Sequence, residues 1–129
     1  MAISNFKYAK KNYNNLTGDE RELNFIGYSI QQCAELTIKH FLEMDGIKYP
    51  HTHCIEDLLD MCDQNDVSLE YSDEFYSFAP SITKFEAKSR YLKDYLLTKR
   101  QVDRALKLCE EFLLGNGVPE EELEKGSKK

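Results

Sequence analysis

The first run of the chain places apolar residues at the three-and-four spacing of one helical face: Ile3, Phe6, Ala9, Tyr13 and Leu16. "LTGDERE" follows, with a stop at Gly18 and acids that suit the positive end of a new helix. The second pattern is the longest. Leu23, Ile26, Ile30, Cys33 or Ala34, Thr37, Phe41 and Met44 fall on one stripe, and Glu35, Lys39 and Glu43 stand four apart, as on an exposed ladder of charges. Gly46 suits the end of this helix, and Pro50 bars an immediate restart.

Thr52 is the expected N-cap of a third helix bearing Ile55, Leu58, Leu59 and Cys62, with Glu56 and Asp57 favourable in its first turn. In the linker "DQNDVSLEYS", Val67, Leu69 and Tyr71 alternate as a strand would. A single short strand has no partner elsewhere in the chain, so none is predicted. Ser72 caps a fourth helix carrying Phe75, Phe78, Ala79, Ile82 and Phe85, which Pro80 should kink or split. "RYLKDYLLT" fits no single element. A final helix carries Val102, Ala105, Leu106, Cys109, Phe112 and Leu113 and ends near Gly115 or Gly117. Five single-striped helices must bury their faces against one another. That predicts an all-α, up-and-down antiparallel bundle over residues 1–116, followed by a polar, flexible tail over 117–129 that should fray.

Length and composition narrow this picture. A chain of 129 residues with 41% hydrophobic and 31% charged residues suits one soluble globular domain. No apolar run approaches the roughly 20 residues that span a bilayer. "MAISNFKYAKK" carries charge where an export signal needs an apolar core, so a cytoplasmic protein without a membrane partner is expected. Cys33, Cys54, Cys62 and Cys109 are scattered, with no C-x-x-C pair, and read as small buried hydrophobes. His51 and His53, two apart on an extended segment, point in opposite directions and make poor joint ligands. No metal and no cofactor is predicted.

The net charge of −6 conceals an asymmetry. Residues 43–76 hold ten acids against one base, Lys48, whereas residues 84–107 hold eight bases against three acids. Local potential of this kind decides where a phosphate or an acidic partner can dock.

The stretch "CAELTIKHFLEMDGIKYPHTHCIEDLLD" resembles the central signature of the HEPN family: an A-E-x-x-x-K-like helix, then a "gi-x-yp-x-tH" turn into the next helix. The matching positions are Ala34, Glu35, Lys39, Gly46, Ile47, Tyr49, Pro50, Thr52, His53 and Leu58. "AKSRYLKDY" is similar to a second family element through Ser89, Arg90 and Tyr91, and "VDRALKLCEEFL" fits the last helix. The resemblance covers roughly residues 5 to 115. It implies a helical bundle, usually dimeric, that acts as an RNase in toxin–antitoxin and defence systems or as a non-catalytic partner of a small nucleotidyltransferase.

Catalytic members carry R-x4–6-H, in which Arg holds phosphate and His moves a proton near neutral pH. Arg90 is present here, but positions 95 to 97 are Tyr95, Leu96 and Leu97. A tyrosine, titrating near about 10, is a poor general base at neutral pH. No catalytic residue is therefore assigned. The resemblance implies a nucleotide- or RNA-phosphate-binding module, a homodimer or a nucleotidyltransferase partner, with Arg90, Tyr91, Tyr95, His53, Lys88 and Lys93 as ligand-binding candidates. The alternatives are a diverged metal-independent RNase using Arg90 and Tyr95, and a structural or regulatory dimer without a small ligand. In the turn, His51 and His53 read first as corner-builders, with His53 bonding backbone at the start of the third helix. Arg90 could equally pair with an acid such as Glu35 across the bundle.

Overall fold

The computed structural model describes residues 2–19, 21–85 and 96–124. These residues form an all-helical bundle of six helices, one more than expected, and contain no strand. They are α1 (Ala2–Tyr13), α2 (Glu22–Met44), α3 (Ile55–Gln64), α4 (Asp73–Lys84), α5 (Lys99–Gly115) and α6 (Glu120–Glu124). Helix α2 is the axis of the bundle and packs against α1, α3, α4 and α5. Its stripe of Ile26, Ile30, Cys33, Ala34, Ile38 and Leu42 is fully buried. Around it close Phe6 of α1, Leu58 and Leu59 of α3, Phe75 and Ile82 of α4, and Leu113 of α5. Phe75 and Phe112 stack with ring centroids 4.3 Å apart, joining α4 to α5. No helix among the described residues is long and apolar enough to cross a membrane.

Three helices end by one device. After α2, Gly46 takes a left-handed φ of 71° and the Ile47 N–H reaches back to the Leu42 carbonyl at 2.9 Å. After α3, Asp66 adopts φ 55° and Val67 bonds Cys62 at 2.9 Å. After α5, Gly117 adopts φ 94° and Val118 bonds Leu113 at 3.1 Å. Each is a Schellman-type stop, in which the left-handed residue lets the next N–H satisfy an orphan carbonyl and turns an apolar side chain back onto the bundle. Val67 and Leu69 are buried this way in an extended linker, which accounts for the strand-like alternation without a sheet.

Three local expectations are corrected. Thr52 is not the cap of α3: that position is Cys54, whose own N–H donates to Thr52 Oγ1 at 3.1 Å. The free Ile55 N–H is instead taken by Thr83 Oγ1 of α4 at 2.9 Å, and Thr83 in turn donates to Glu56 at 2.8 Å. Pro80 does not split α4, which runs from Asp73 to Lys84 with the proline inside. Pro80 is exposed, so the Tyr76 carbonyl that it cannot serve lies on the watered side of the helix. Within the stretch read as a polar tail, Glu120–Glu124 is helical and rests on α1, because Leu123 supplies one apolar anchor that is buried to 1% exposure. The forecast cap of α4 holds, Ser72 accepting from the Phe75 N–H; Thr98, in the stretch left unassigned from sequence, opens α5 with a full capping box to Gln101.

Candidate functional site

One face of α2 is polar where its neighbours are apolar. Asn24, Gln31 and Glu35 recur at helical spacing along it, all buried, with Gly27 on the same face. Glu35, read from the sequence as part of an exposed ladder, is 4% exposed. Its carboxylate is held by three donors. Gln31 Nε2 donates to Oε1 at 2.6 Å and Lys39 Nζ to Oε2 at 2.7 Å. His53 Nδ1 lies 3.0 and 3.1 Å from the two oxygens. Burial would push the Glu35 carboxyl up, but the hydrogen bonds from Lys39, His53 and Gln31 outweigh it and hold the group below the usual carboxylate range. An ionised carboxylate can only accept, so Nδ1 of His53 carries the hydrogen and Nε2 is the free nitrogen.

His53 therefore does build the corner, but by a different bond from the one expected. It clasps the Glu35 side chain rather than backbone at the start of α3. The imidazole side chain remains 51% exposed, while the Glu35 side chain is 5% exposed. The His51 ring stands 6.3 Å from it and is exposed. Lys39, after bonding Glu35, lies over the Tyr49 ring at 5.4 Å, and Tyr49 donates to Glu43 at 2.6 Å. Cys54, next to His53, is a neutral thiol, because burial pushes it up to about 11. The buried Cys33 and Cys109 meet Sγ to Sγ at 3.6 Å, where the hydrogen bond to Cys33, with burial, raises the Cys109 thiol well above its ordinary value. None of these is an activated nucleophile. Among the described residues no three His, Cys, Asp or Glu side chains gather as a metal would require.

A groove of about 590 Å³ borders this cluster. Ile3, Phe41, Leu113 and Val118 form its apolar side, and Lys39 and Tyr49 are shared with the cluster.

Of the candidate ligand-binding residues, His53 is placed as above. Lys88, Arg90, Tyr91, Lys93 and Tyr95 lie outside the described residues, as does the pairing of Arg90 with an acid. The described residues on either side of them converge. Phe85 and Leu97 both lie against Gly27 of α2, so close that a β-carbon there would collide with Leu97. The Leu97 N–H donates to the buried Asn24 Oδ1 at 2.8 Å. The sequence reading missed Gln31 and the burial of Glu35. The available signal was the polar series at 24, 31 and 35, which departs from an apolar stripe on the side where a surface ladder was assumed.

A family model for the HEPN domain matches residues 1–114, nearly the whole bundle. The chain belongs to the HEPN domain family, a family of nucleotide- and RNA-related modules. No curated protein and no solved structure matched the chain.

Proposed function

We propose that the protein is a HEPN-type module that binds nucleotide or RNA phosphate without cleaving it, as a homodimer or beside a small nucleotidyltransferase partner. Arg90 holds phosphate, Tyr91 and Tyr95 stack or hydrogen-bond, Lys88 and Lys93 add positive charge, and His53 shapes the rim. The observation that carries this reading is the polar face of α2. Phe85 and Leu97, which bracket the Arg90 stretch, pack on that face at Gly27, and buried Asn24, Gln31 and Glu35 line it. Each of these polar groups is bonded, Gln31 and His53 to Glu35 and Asn24 to the Leu97 N–H, so the face is a satisfied polar seam beside the Arg90 stretch. Tyr95, Leu96 and Leu97 at the positions of the expected imidazole speak against the Arg–His cleavage of catalytic members.

The test is binding of labelled single-stranded RNA at several salt concentrations, with RNA integrity followed on gels in the presence of chelator. The expected result is salt-sensitive binding, weakened about tenfold or more in Arg90→Ala, with the RNA intact. Cleavage that disappears in Arg90→Ala overturns the non-catalytic reading. It would favour the second one, a diverged RNase using Arg90 and Tyr95. The observation on that side is the Glu35–His53 pair, which leaves one imidazole nitrogen facing solvent.

A further inference from the structure

We propose that a phosphate-bearing ligand bound beside this corner is held partly by Nε2 of His53 and takes up one proton there, so that affinity rises as pH falls. This rests on the phosphate-binding reading above and names how that site is regulated.

The geometry leaves His53 one free edge. Its Nδ1–H is committed to Glu35, whose oxygens lie at 3.0 and 3.1 Å. The ring is half exposed, so Nε2 is the nitrogen that a solvent-borne ligand can meet. In the neutral imidazole Nε2 bears a lone pair, and a phosphate oxygen is also an acceptor; the two repel. Once protonated, the same nitrogen donates, and the bond to phosphate is charge-assisted at both ends. The ring can take that proton without moving, because the bond to Glu35 already fixes its orientation.

The turn belongs to the acidic segment 43–76, so a proton on His53 is needed to turn the local charge toward a phosphate. From α2, Lys39 pairs with Glu35 at 2.7 Å, so those two charges cancel and a proton on His53 is the net positive charge of the cluster. From the turn, His51 stands 6.3 Å away ring to ring, and Tyr49 donates to Glu43. From the first turn of α3, Cys54 is a neutral thiol, Glu56 accepts from Thr83, and Asp57 is exposed. Among the described residues, His53 is the imidazole held by a buried carboxylate; His40 and His51 are exposed.

The experiment titrates a labelled oligouridine with a 5′-hydroxyl against the full chain at about pH 6 and about pH 8, at constant ionic strength. Its phosphodiesters stay ionised throughout that range. Wild-type protein is expected to bind about five- to tenfold tighter at the lower pH. Calorimetry in two buffers of different ionisation enthalpy should register about half a proton taken up per ligand near neutrality, as that fold-change over two pH units requires. His53→Gln, which keeps the volume and a donor, should flatten the pH dependence, and His51→Gln should retain it. Equal wild-type affinity at both pH values, an unchanged slope in His53→Gln, or a slope lost in His51→Gln overturns the inference and leaves the phosphate-binding reading intact. Absence of binding at both pH values overturns both. The calorimetric proton count needs no variant, so it decides the matter even if His53→Gln folds poorly.

Discussion

His53 Nδ1 and Glu35 Oε1 lie 3.0 Å apart across 18 residues of chain, and this pair ties the turn after α2 to the middle of that helix. The carboxylate is interior and its imidazole partner stands at the surface, so the bond reads out the state of the corner.

Glu35→Ala should lower stability by about 2–3 kcal/mol in urea unfolding, because Gln31 loses its acceptor and Lys39 its counter-charge in a mostly buried place. The sign with pH follows from the depressed carboxyl. A group whose folded value lies below its unfolded one stabilises above the unfolded value and loses that contribution as pH falls through the folded one. Wild type and Glu35→Gln should therefore differ most at neutral pH and converge in acid. A gap that persists undiminished well below the ordinary carboxylate range would contradict the assignment.

Gly27→Ala places a methyl group against the end of Leu97, with Phe85 ring atoms 3.4 and 3.5 Å from it. A leucine tip can give way, so the expected cost is about 1–2 kcal/mol rather than loss of the fold. Leu97→Ala in the same chain should recover part of it. A double-mutant cycle with no coupling between the two sites would show that they do not meet.

Asp66 holds φ at 55° with a side chain that disfavours it. Asp66→Gly relieves that strain, partly offset by a freer unfolded chain, and should stabilise by about 0.5 kcal/mol in thermal or chemical unfolding. A loss of stability would mean that the aspartate contributes something beyond its backbone.

Thr83→Val removes the hydroxyl that receives the Ile55 N–H and gives to Glu56. The start of α3 should loosen, at a cost of about 1 kcal/mol, and hydrogen exchange should quicken at Ile55 more than at Leu59.

The helices were legible because each carries one apolar stripe, and α2 was legible as the longest, though the end of its stripe was misplaced: Ile38 and Leu42 are buried, and Met44 is exposed. The same periodicity failed at Glu35. A carboxylate four residues before a lysine looks alike on a wet face and in a seam, and what buries it is chain far away in sequence. The cap of α3 failed for a kindred reason. Thr52 stands where a cap belongs, yet the Ile55 N–H is met by Thr83, 28 residues onward. Pro80 misled because its cost depends on which side of the helix it faces. Of the candidate site, the corner histidine was visible as a residue and its acidic partner as a motif position; that they touch was not.

Gly27 has a consequence for how such a chain can vary. The side chains of Phe85 and Leu97, which stand on either side of residues 86–95, converge on one absent β-carbon. A larger side chain at position 27 would press on both footholds at once, so the seats of Phe85 and Leu97 on α2 stand or fall together.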